Sequence, residues 1–169
     1  MTAIDPQEGK QRVADMIAEA RRRVAVLTGS LPKVVDPAGI SLTAKLPFLA
    51  VCFRESMIWR AEETGRGACA AFEAGDLVNA TLLVRGFIET TGAVWYLMDF
   101  LKRQNKNGLT PNAGETVRRL LLGNRRVDEA PNPIHVMDFV RQVEATIPGF
   151  AHSYDALCEL AHPNWAGAL

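Results

Sequence analysis

Cysteine is scarce in this chain: Cys52, Cys69 and Cys158 are few, odd in number and spaced unlike metal ligands. A disulfide framework and a zinc quartet are thereby excluded, and a reducing cytoplasm is the expected compartment. The opening residues, MTAIDPQEGK, lack the basic-then-apolar order of a secretory signal. No glycine-rich phosphate loop, internal repeat or low-complexity tract is present. No stretch alternates apolar and polar residues as a half-buried strand does. Excess charge is missing too, since nineteen basic residues balance nineteen acidic ones. The molecule as a whole therefore has no field to draw in nucleic acid or a membrane surface, and any such attraction has to come from a local patch.

What remains is a chain of 169 residues, 48% hydrophobic and 22% charged, which suits a single globular domain with a real core. Its apolar residues recur at helical spacing. Asp5 before Pro6 is a helix start, the aspartate capping free N–H groups and the proline fitting the first helical position. Val13, Ile17, Ala20, Val24 and Leu27 then mark one face of a helix over about 6–28. GSLPKVVDPAGISL is a punctuated connection. Phe48, Val51, Ile58, Ala61, Gly65, Ala68 and Phe72 mark a second helix that ends near Gly75. Asp76 caps a third helix that runs to about Arg103, apolar nearly all round, as a helix surrounded by others is. After the loop QNKNGLTPNAG, ETVRRLLLGNRR predicts a short helix. Two more are predicted over about 135–146, with Val136, Phe139, Val140 and Val143 inward, and about 150–162, ended by Pro163. The expected fold is all-α: one domain over 1–169, an antiparallel helical bundle around the long helix at about 77–103.

That long helix carries the most informative stretch, LVNATLLVRGFIETTGAVWYLM, residues 77–98. It is long enough to span a bilayer, but a charge at the bilayer centre costs about 2.5 to 3.5 kcal/mol, so Arg85 and Glu89 favour a helix buried in protein and no membrane contact. Four residues apart, the two can meet on one face with Val78, Leu82, Gly92 and Tyr96. The spacing predicts that this face looks inward and that the pair is largely buried. A buried ion pair seldom adds net stability, so it serves either as a structural lock or as a site.

The partner segment is SYDALCELAHPNWAG, residues 153–167. Tyr154, Cys158 and His162 are spaced by four, which predicts His162 pointing to the core at a helix end, where the helix dipole favours its protonated form. Arg85 and Glu89 are expected to join Tyr154, His162 and Asn164 at a pocket floor, with Arg54 as a further polar residue of the ligand-binding set and Glu55 on the outer face. The catalytic candidates are His162, Arg85 and Glu89. Glu159 and His162 form half of a helical di-metal pattern, but the second copy is missing, so no metal or cofactor is expected. One patch survives the neutral total. Between residues 102 and 126 stand Lys102, Arg103, Lys106, Arg118, Arg119, Arg125 and Arg126 against Glu115 alone. This is a candidate nucleic-acid surface, although helix-terminal dipole effects also collect such residues.

The order WRAEETGRGACAAFEAGDLVNATLLVRGFIETTGAVWYL, then YDALCELAHPNWAG, resembles an uncharacterised bacterial all-helical family related to the HEPN superfamily. The similarity covers about 45–167, and its most specific elements are Arg85, Glu89 and His162-Pro163-Asn164. It implies an N-terminal helix and connection over 1–44, an HEPN-like core over 45–169, and a homodimer acting in RNA cleavage, toxin–antitoxin pairs or phage defence, with RNA or a nucleotide as ligand. The ribonuclease branch places an arginine four to six residues before its histidine. Here Ala156, Leu157 and Cys158 occupy those positions, so Arg85 or Arg54 has to replace that arginine through space. The expected role is a dimeric binding or regulatory module in bacterial stress or defence, with a ribonuclease using His162 and Arg85 as the alternative. The end at WAGAL reads like the middle of an element, and a further C-terminal segment is expected.

Overall fold

The computed structural model describes residues 6–41 and 43–163, and all regular structure among them is helical. The helices are α1 (Pro6–Gly29), α2 (Lys45–Glu73), α3 (Leu77–Asn107), α4 (Ala113–Leu122), α5 (Val136–Glu144) and α6 (Phe150–Ala161). The predicted Asp5 cap and the predicted role of Asn164 lie outside the described residues.

The frame is the antiparallel pair α2 and α3, reversed by a three-residue turn. Gly75 sits at φ 77°, where a side chain would be strained, and its N–H donates to the Phe72 carbonyl while the Asp76 N–H donates to that of Ala71. Asp76 then caps α3 through the Asn79 N–H. Phe53 and Ala50 of α2, Ala93, Leu97 and Phe100 of α3, and Ala113 and Val117 of α4 form the core. Gly92 permits a close approach of α5, since a Cβ there would stand 3.2 Å from that of Phe139. Val140 and Val143 of α5 are almost fully buried. Glu144, the last residue of α5, accepts from the N–H groups of Gly149 and Ala151 and so caps the start of α6. Those bonds hold its carboxyl below the usual range.

Several boundaries and faces differ from the expectations. α3 runs one turn past Arg103, to the positive-φ Gly108. α4 begins earlier than predicted and stops at Leu122, leaving Arg125 and Arg126 outside it. Among the described helices α1 packs closely on α2 alone, and none of its described side chains is buried; Val13, predicted inward, is 44% exposed. The start of α3 is only partly covered, and Leu77, Val78 and Leu82 are exposed. The face of Arg85 and Glu89 is therefore only half inward. On α2 the apolar stripe is rotated, so that Phe72 is exposed while Glu55 and Glu62 are buried.

Candidate functional site

Glu89 is the node of a three-residue cluster. Its Oε1 accepts from Arg85 Nε at 3.2 Å and from the Tyr154 hydroxyl at 2.9 Å. The Arg85 guanidinium also lies over the Tyr154 ring, 5.8 Å from its centre. The local reasons are simple. Residues 85 and 89 are one turn apart on α3, and the Glu144 cap starts α6 so that Tyr154, its one buried residue, faces α3. Burial and the Glu89 carboxylate push the Tyr154 hydroxyl up to about 12, with Arg85 opposing. The Tyr154 oxygen holds Arg85 above its ordinary value, against partial burial. The Arg85 and Glu89 side chains keep 34% and 30% of their exposure, so this pair is half solvated rather than buried as predicted. Among the described residues no buried side-chain polar atom lacks a partner.

His162 is not part of it. Pro163 holds residue 162 in an extended conformation, φ −77° and ψ 143°, one residue past the helix. Its side chain thus leaves the stripe of Tyr154 and Cys158 and is exposed, and among the described residues no hydrogen bond or ion pair joins it to Arg85 or Glu89. The expectation of an inward His162 is corrected accordingly, and Asn164 lies outside the described residues. Arg54 is exposed on α2 and paired with Glu55, which is buried instead of facing outward.

The basic segment is divided as well. Arg103 pairs with Asp99 and Arg118 with Glu115, while Arg119 turns away from the patch: its Nε donates to the Asn132 carbonyl at 2.8 Å. Lys102, Lys106, Arg125 and Arg126 remain as exposed cations.

Beside the cluster opens a cavity of about 270 Å³. Glu89 and Thr90 of α3 line it, with Arg60 of α2, Arg119 of α4, and an apolar wall that includes Phe53, Met57, Ile134 and Phe139. Arg60 Nε donates to the Thr90 hydroxyl at 3.1 Å, and that hydroxyl donates in turn to the Gly86 carbonyl at 2.6 Å. Sequence reasoning missed Arg60, Thr90 and the inward turn of Arg119. Phe53, Met57 and Arg60 do share one α2 face at spacings of four and three, a signal that was there to be read. Also missed was Glu62, which is buried between Arg66 and the Thr28 hydroxyl, ties α1 to α2, and has its carboxyl held low first by Arg66.

A second, larger groove of about 470 Å³ lies between α1, α2 and α3 and is almost wholly apolar, with Ile17, Val24, Phe72 and Phe87 among its walls. Among the described residues no three His, Cys, Asp or Glu side chains group as metal ligands, and no helix is long and apolar enough to cross a membrane. Comparison with protein-family models, with curated proteins and with solved structures found no match.

Proposed function

We propose that this chain is a dimeric helical binding or regulatory module of HEPN-like type, working in the cytoplasm in bacterial stress or defence. The observation that supports it best is the state of the polar cluster: Arg85, Glu89 and Tyr154 satisfy one another beside an open cavity, which suits recognition more than turnover. The ribonuclease alternative needs a histidine within reach of a phosphate-binding arginine. An exposed His162 apart from Arg85 does not supply that arrangement. The type and the biological setting rest on the resemblance alone. Three unpaired cysteines suit the compartment.

Self-association is supported by apolar surface. Met16 and Val26 on α1 and Leu77, Val78 and Leu82 on α3 are all exposed, near an apolar groove that a second copy would cover. The test has two arms. Purified protein incubated with bulk RNA beside His162→Ala is expected to leave the RNA intact in both samples. Cleavage by the wild type that the substitution abolishes would overturn the module reading. Light scattering is expected to give twice the chain mass of 18.5 kDa. A monomer mass at micromolar concentration would remove the dimer.

A further inference from the structure

Most arginines of the bundle already hold a carboxylate. Among the described residues Arg21, Arg22, Arg23, Arg54, Arg66, Arg85, Arg103, Arg118 and Arg141 each form an ion pair. Arg60 and Arg119 differ. Among the described residues their acceptors are neutral: the Thr90 hydroxyl for Arg60, and the Asn132 and Pro133 carbonyls for Arg119. A neutral acceptor orients a guanidinium but leaves its charge uncompensated, and a guanidinium has five N–H donors, so each keeps donors to spare. Both line the same 270 Å³ cavity.

The rest of the wall narrows the ligand class. Phe53, Met57, Ile134 and Phe139 offer an apolar surface that a bare inorganic ion leaves wet, and at about 270 Å³ the cavity falls just below the roughly 300 Å³ at which drug-sized ligand pockets begin, which limits the ligand to a small molecule. Glu89 lines the same space, but its charge is already paired with that of Arg85, and among the described residues no ion pair joins it to Arg60 or Arg119.

Deepening the binding-module reading, on which it rests, we infer that this cavity is a binding site for a small organic anion. A carboxylate or phosphate head meets Arg60 and Arg119, and an apolar body the size of a single ring lies against Phe53, Met57 and Phe139. The hydroxyl of Thr90 holds Arg60 in place and leaves the anion to the remaining guanidinium N–H groups.

The probes are phenylacetate and phenyl phosphate, one for each head group, with phenylacetamide as the neutral analogue of the first and inorganic phosphate as the head without a body. Isothermal titration into the full chain is expected to detect at least one of the two organic anions. Phenylacetamide and inorganic phosphate should bind about tenfold more weakly or worse, a factor that corresponds to the loss of one charge-assisted pair or of the apolar contacts. Preference for phenyl phosphate assigns the head as phosphate, and preference for phenylacetate as carboxylate. Arg60→Gln and Arg119→Gln should each weaken the better anion by about tenfold. If Arg119→Gln loses its fold with its two backbone carbonyl contacts, Arg60→Gln decides, because Arg60 is exposed and holds only a hydroxyl. The proposal is overturned if neither organic anion binds, if the amide binds as well as the acid, or if Arg60→Gln binds like the wild type. Those failures leave the module reading standing, whereas RNA cleavage sensitive to His162→Ala removes the module reading whatever the titrations give.

Discussion

Glu89 accepts two hydrogen bonds on one oxygen, and the exposure of its neighbours sets what each is worth. Removing one partner of a fully buried ion pair costs about 3 to 5 kcal/mol. With about a third of each side chain exposed, water screens Arg85 and Glu89, and most of the cost of Glu89→Ala comes from the Tyr154 hydroxyl left without an acceptor, about 1 to 3 kcal/mol. Urea unfolding is the measurement; a loss well above that range would mean that the pair is sealed from water. Tyr154→Phe is expected to be milder, about 1.5 kcal/mol, because Arg85 and water still serve the carboxylate. It also removes a pH dependence. The folded hydroxyl holds its proton up to about 12 against an ordinary value of 10.0, so its stabilising share is complete below pH 10 and is lost as pH climbs from there through 12. Melts on either side of that window should show a steeper decline for the wild type than for Tyr154→Phe, and parallel declines would show that the hydroxyl is not held in this way.

At the scale of single elements, the sharpest constraint is the end of α4. A Cβ on Gly123 would stand 2.3 Å from the Arg119 carbonyl oxygen and 2.5 Å from the Pro133 Cα, both backbone atoms that cannot rotate aside. Gly123→Ala is therefore expected to push residues 131–134 off α4 at a cost of about 1 to 3 kcal/mol, and to weaken anion binding by moving the carbonyls that orient Arg119. A crystal structure or amide chemical shifts of that variant that leave residues 131–134 unmoved would refute it. The helices themselves were legible from apolar spacing, and the turns from Gly75, Pro148 and Gly149. Which face each helix buries was not, because a stripe such as Val13 to Leu27 fixes a direction without supplying a neighbour, and α1 has only α2. The error at His162 was of the same kind. Spacing by four extended the α6 register one residue too far, past the point where Pro163 turns the backbone. Arg119 illustrates the remainder, since its acceptors are carbonyls thirteen and fourteen residues away, set by a proline-rich loop whose path no local pattern encodes.

For the whole molecule, α1 stands apart. Among the described helices it packs closely on α2 alone, joined there by the Thr28–Glu62 hydrogen bond and the Arg21–Glu73 ion pair, and none of its described side chains is buried. A helix with so little burial opens at a free energy far below that of the global transition, as a separate cooperative unit. Amide hydrogens of residues 10–27 should then exchange with deuterium well before those in the α2–α3 core, and trypsin should cut first after Arg21, Arg22 or Arg23. If a second copy covers the groove beneath α1, association adds to that opening free energy in proportion to the logarithm of protein concentration. The exchange rate of this one helix would thus act as a built-in gauge of assembly, slowing as the solution is concentrated.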